Sequence, residues 1–186
     1  DKLEIDRRDK ALLSLSLLTG LRPDSIKSLC IKNIDIKNMT VILDTLNETD
    51  AKFGKYNEVL MLPFDVWIYN NITSWISELI NKKGFNDDDP IFPKTEMNNN
   101  NHHFGFKPEN VTKEFWKNPS QINKIFKERA IESGVAPFTP YGFRRLNAQH
   151  ARRYATNMEE YSAISQNLGH SDTEITESYY GNMGPE

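Results

Sequence analysis

The run Thr19-Gly20-Leu21-Arg22-Pro23 stops one helix and starts another, and the rest of the chain can be read outward from it. Upstream, Ala11, Leu12, Leu15 and Leu18 recur at the spacing of one helical face across residues 7–19. Asp6 is placed to cap that helix. Gly20 is placed to end it, because glycine takes the left-handed conformation of a C-terminal cap without a Cβ penalty. Pro23 suits the first turn of a second helix, to about residue 29, where its missing N–H is no loss. Arg22 therefore sits at a junction between two elements, where a guanidinium can reach out of the fold toward an anion. Taken alone, it also reads as a surface arginine capping the first helix with a nearby acid.

Residues 31–44 alternate in the manner of strands, with Lys37-Asn38 as a turn, and residues 58–62 form another such run. Between them lies Lys52-Phe53-Gly54, so a small antiparallel sheet with a turn at Gly54 is expected. Residues 64–82 read as a helix with an apolar face of Val66, Ile68, Trp75, Ile76 and Leu79. Residues 84–118 are the least regular part. Asp87-Asp88-Asp89-Pro90 and the asparagine run 98–101 are loop-formers, and Ile91-Phe92 is a candidate buried anchor. Helices are expected again over 120–133, closed by Gly134, from Pro140 to about 156, and over 158–168 and 172–180. The fold class is mainly α with a small antiparallel β-sheet, α+β, in a single domain over residues 1–186, with no internal repeat.

Composition narrows the function. No run of about 18 apolar residues occurs, so no membrane helix is expected. Cys30 is the only cysteine, which excludes an internal disulfide and fits a reducing cytoplasm. His102-His103 are adjacent rather than at chelating spacing and Cys30 has no partner, so no metal site is expected. The net charge of -3 argues mildly against a nucleic-acid binder. The charge is unevenly spread, however. Acid gathers at 48–50, 87–89 and Glu159-Glu160, and base at 124–129 and 144–153. A basic face on an acidic body remains compatible with DNA.

Further residues can act with Arg22. Lys52 sits two residues before the turn glycine, with Lys55 as a competitor. Arg144 lies in Tyr141-Gly142-Phe143-Arg144, preceded by Thr139-Pro140 and followed by Arg145. His170 lies in Leu168-Gly169-His170-Ser171. Tyr179 follows that histidine by nine positions, with Tyr180 beside it. Two arginines can grip a phosphate bidentately. A lysine can protonate a leaving oxygen, and a tyrosine can attack and hold the phosphate covalently. Individually each has a plain structural reading: a solvated turn lysine, a helix-surface arginine, a helix-cap histidine, a core tyrosine. Jointly, in order, spacing and helix context from about residue 10 to residue 180, they resemble the catalytic domain of the tyrosine recombinases, the integrase family that cuts and rejoins DNA.

The resemblance implies the tyrosine recombinase catalytic-domain fold. It implies that Arg22, Lys52, Arg144, His170 and Tyr179 converge on one basic, solvent-open concavity. Arg22 and Arg144 would clamp the phosphate, Lys52 would protonate the leaving 5′-oxygen, His170 would hydrogen-bond a non-bridging oxygen, and Tyr179 would be the nucleophile. The chain departs from the family pattern twice. The acid usual three positions after the first arginine is Ser25, with Asp24 beside it, and the histidine usual at the second box is Tyr141. A phenol is a poor base at neutral pH but can donate a hydrogen bond.

The function implied is site-specific recombination or integration through a covalent 3′-phosphotyrosine, for a mobile element or phage, without cofactor or metal. A type IB topoisomerase and a catalytically impaired DNA-binding accessory or regulatory protein are the alternatives. Expected partners are double-stranded DNA, other protomers on paired sites and accessory DNA-bending proteins, with no membrane. The expected location is the cytoplasm, on the nucleoid of a prokaryotic host. The family's N-terminal DNA-clamping domain and its C-terminal tail are expected to be missing from residues 1–186.

Overall fold

A computed structural model describes residues 3–43, 57–98 and 105–154, together with 157, 162, 165, 167 and 168. Its helices are α1 (Glu4–Thr19), α2 (Pro23–Lys27), α3 (Val66–Lys83), α4 (Ser120–Glu132) and α5 (Pro140–Tyr154). Strands β1 (Ile34–Asp35), β2 (Thr40–Leu43) and β3 (Asn57–Leu60) form one antiparallel sheet in that order. Strands β4 (Thr95–Asn98) and β5 (Gly105–Val111) form a separate hairpin. No helix among the described residues is long and apolar enough to cross a membrane.

Helix α1 is the central post, packed on both α3 and α5. Its apolar face, Ala11, Leu12, Leu15 and Leu18, is almost wholly buried. Its cap differs from the expectation. Leu3 is the N-cap, and Asp6 lies inside the first turn, where its carboxylate accepts from the Leu3 N–H. An acid there still compensates an orphan donor and the positive end of the helix dipole. Helix α3 begins with Asp65 accepting from the Trp67 N–H and buries Ile68, Ile72, Trp75, Ile76 and Leu79. Val66, expected on that face, is exposed. It is the first helical residue, before the buried stripe begins.

The irregular region contains more order than expected. Ile91 and Phe92 are buried, as an anchor should be, and the Trp75 indole donates to the Ile91 carbonyl at 2.8 Å. The β4–β5 hairpin inside 84–118 was not legible. Its second strand carries Pro108, and its register shifts between Thr95 and Glu96, so the two-residue alternation that marks a strand is broken.

Ion pairs fasten the helices. Arg7 donates from Nε and Nη2 to both oxygens of Glu78, at 2.7 and 2.6 Å, joining α1 to α3. Arg129 on α4 bridges Asp6 and Asp9 of α1, each at 2.8 Å, and pairs with Glu132. Lys124 pairs with Glu128 at 3.6 Å. The basic run 124–129 is therefore largely neutralised by acids of the fold, which removes most of it from any anion-binding face.

The Arg7 hydrogen bonds hold the Glu78 carboxyl below the usual glutamate range. A depressed folded value means the pair's stabilisation is present above the unfolded value of about 4.3 and is lost as pH falls through the folded value. Glu78→Gln should lower stability by about 1 kcal/mol at neutral pH. In urea titrations the gap between variant and parent should close as the pH drops below the carboxylate range.

Candidate active site

Four tethers join four parts of the chain into a ring. The first part is the Thr19-Gly20-Leu21-Arg22 turn. The Gly20 N–H donates to Ser16 O at 2.9 Å, and Gly20 turns left-handed with φ 63°. The Thr19 hydroxyl donates to Leu15 O and accepts from the Leu21 N–H. The next residue, Arg22, is the extended N-cap of α2. It is half-buried, and its guanidinium has no hydrogen bond or ion pair among the described residues. Leu21 is buried beneath it.

The second part is the start of α5. Phe143 packs edge-on or tilted against Phe126 and Phe138, with ring centroids 5.5 and 5.1 Å away, which fixes the rotation of the helix on α4. That rotation leaves Tyr141 exposed and turns Arg144, Asn147 and Ala148 inward. Arg144 is only 4% exposed. Its Nη1 donates to Gly20 O at 3.0 Å, and its Nη2 donates to Leu168 O.

The third part is the segment leading to Gly169-His170. Leu168 is buried and supplies the carbonyl just mentioned. Asn167, beside it, grips the edge of β3. Its Oδ1 accepts from the Leu60 N–H at 2.6 Å and its Nδ2 donates to Leu60 O at 2.8 Å. An edge strand exposes such a donor and acceptor, and a carboxamide matches both. The fourth part is the strand leaving the 44–56 segment. The Leu62 N–H donates to Leu18 O at 2.8 Å, which returns the ring to the first turn.

Glycine at position 20 is required by this closeness. A Cβ there would lie 2.8 Å from Leu168 Cδ2, 3.0 Å from Asn147 Nδ2 and 3.4 Å from Arg144 Cα. The first arginine turn, the second arginine box and the segment before the histidine therefore meet at one point.

Of the sequence-predicted residues, Arg144 thus meets the turn that carries Arg22, at Gly20, and Tyr141 is solvent-exposed on the first turn of α5. Lys52, Lys55, His170, Tyr179 and Tyr180 lie outside the described residues, as do His102 and His103. The expected solvent-open setting does not hold for Arg144, whose guanidinium is sequestered by two carbonyls. Arg145, half-buried beside it, has no partner among the described residues. The departures are also placed. Ser25 is buried, while Asp24 is exposed and its carboxylate makes no pair with Arg22. No acid among the described residues replaces the usual support of the first arginine. Asn167 was missed by sequence reasoning, since a single polar residue in a helical stretch carries no signal of the strand it will meet. A cavity of about 610 Å³ lies elsewhere, between α1, α4 and the β4–β5 hairpin, and none of these residues borders it.

A family model described as the phage integrase family matches residues 2–184, and the chain belongs to that family. Tyrosine recombinase XerC of Histophilus somni (strain 2336) is 25% identical over 179 residues, covering 96% of this chain and 50% of that protein. The fold is similar to that of the XerA recombinase crystal structure, with a TM-score of 0.64 at 18% identity, over 95% of this chain and 52% of that one. A Tn1549 transposon integrase in complex with a circular intermediate DNA gives a TM-score of 0.53 at 16% identity, over 99% and 57%. The chain spans about half the length of these relatives.

Asn167→Ala should release the β3 edge. Exchange of the Leu60 amide with deuterated solvent should speed up at least about tenfold, the loss of one hydrogen bond's worth of protection. The amides shared by β2 and β3 should keep their rates.

Proposed function

We propose that the chain is the catalytic domain of a site-specific DNA recombinase that cuts and rejoins strands through a 3′-phosphotyrosine. The observation that carries this reading is the ring of tethers. It gathers the two arginine boxes, the approach to Leu168-Gly169-His170 and the strand that follows the segment carrying Lys52, which are the parts a metal-free phosphoryl transfer needs together. The family membership and the similarity to a tyrosine recombinase support the same reading.

In this reading the Tyr179 hydroxyl oxygen attacks the scissile phosphorus and the bond to the 5′-oxygen breaks. Lys52 gives that oxygen its proton. Arg22, Arg144 and His170 stabilise the charge that gathers on the non-bridging oxygens in the transition state. Tyr141, exposed at the head of α5, would donate a further hydrogen bond. The covalent link retains the bond energy, so a 5′-hydroxyl from a partner strand can reverse the step with no nucleotide cofactor or metal. Duplex DNA and further protomers on paired sites are the partners this chemistry requires, and accessory DNA-bending proteins fit the same assembly. The element served would be a phage or other mobile element, acting in the cytoplasm on the nucleoid of a prokaryotic host. A clamp domain before residue 1 and a tail after residue 186 belong to the same proposal.

A second reading, a DNA-binding accessory protein with impaired catalysis, is favoured by specific observations. Ser25 is buried where the family has an acid, Asp24 does not support Arg22, and Arg144 is held by carbonyls. A type IB topoisomerase would share the chemistry but rejoin the same strand.

The test is covalent capture on nicked duplexes selected from a randomised pool by the parent protein. Arg22→Ala should slow adduct formation by a factor on the order of 10²–10³ without changing stability. Arg144→Ala should slow it as much and also lower stability by about 1–3 kcal/mol, because it leaves two buried carbonyls unpaired. Tyr179→Phe should abolish the adduct and Tyr180→Phe should not. A parent protein that binds these duplexes but forms no adduct supports the accessory reading.

A further inference from the structure

Asn147 is fully buried, and neither its Oδ1 nor its Nδ2 has a hydrogen-bond partner among the described residues. It lies one helical turn after Arg144 on the same inward face of α5. Its Nδ2 stands 3.0 Å from the point where a Cβ on Gly20 would be. The amide therefore borders the junction where Arg144 holds Gly20 O and Leu168 O. An unpaired buried amide costs stability, and an apolar side chain of similar size would avoid that cost.

We infer that Asn147 is a positioning residue for strand cleavage: its amide takes over a carbonyl of this junction when Arg144 turns to the phosphate. This inference rests on the recombinase reading above. In the free protein both terminal nitrogens of Arg144 are engaged with backbone carbonyls. Gripping a phosphate bidentately requires two parallel N–H groups directed at it. A guanidinium that redirects those groups leaves Gly20 O, Leu168 O or both without a donor in a dry setting. Asn147 carries an uncommitted N–H₂ at that spot. A rotation of its side chain pairs an orphan donor with a newly orphaned acceptor, so the release of Arg144 no longer leaves a carbonyl bare. The residue touches neither DNA nor the reacting atoms. It acts through the freedom it gives Arg144.

The stability and the activity of an apolar variant then move in opposite directions, which a purely structural role would not produce. Asn147→Leu should raise the melting temperature by about 2–4 °C. On nicked duplexes captured by the parent protein, it should lower the first-order rate of adduct formation at least about tenfold, with DNA affinity unchanged. Asn147→Ser, which keeps a small donor, should recover part of the rate. A parent that forms no adduct on any duplex of the pool overturns the recombinase reading and this inference with it. A parent that cleaves while Asn147→Leu cleaves at the same rate overturns this inference alone. So does a Leu variant that loses rate only in step with lost stability.

Discussion

The Arg144 guanidinium, donating to Gly20 O and Leu168 O, is the interaction on which the arrangement depends. Gly20 ends the central helix, and Leu168 immediately precedes Gly169-His170. Both lie far from Arg144 in sequence. One side chain thus joins the end of α1 to the approach to Gly169-His170, through hydrogen bonds that a charged donor makes stronger than a neutral one would. The bonds form only because Gly20 has no Cβ and Phe143 fixes the rotation of α5. The Asn167 grip on Leu60 and the Leu62–Leu18 bond close the circle through the sheet.

The same interaction sets a conflict between holding and acting. An arginine used as an internal brace is unavailable to a phosphate in that pose, whereas Arg22, half-buried and without a partner among the described residues, is ready for one. The two arginines, alike by motif, therefore differ in state in the free protein. In the proposed recombinase reading, one clamp would be open and the other would have to be released, which would couple DNA binding to assembly of the site, a form of population shift whose size is the differential affinity of DNA for the released state. The missing acid at Ser25 has the same sense, since nothing among the described residues pins Arg22 in place.

Much of this was legible in the sequence. The helical spacing of Ala11, Leu12, Leu15 and Leu18, the stop at Gly20 and the start at Pro23 gave the end of α1 and the start of α2 to the residue, because such stops and starts are local chemistry, whereas α1 begins at Glu4, three residues before the expected start. The Ile91-Phe92 anchor and the helices at Ser120 and Pro140 were equally local. The β4–β5 hairpin was hidden by a proline and a register shift. The main pairing of Arg129 was hidden because two of its acids, Asp6 and Asp9, come from a helix more than a hundred residues away in sequence. The motif order singled out Arg22 and Arg144, but not that Arg144 would be sealed beneath two carbonyls. The partners of a side chain are decided by tertiary packing, which no spacing rule encodes.

Arginine-selective labelling with phenylglyoxal, followed by peptide mass spectrometry of the folded protein, measures the central claim directly. Arg22 should be modified readily while Arg144 stays protected, and Arg144 should become reactive when the protein is unfolded in urea. Modification of Arg144 in the folded protein as fast as Arg22 would contradict that claim.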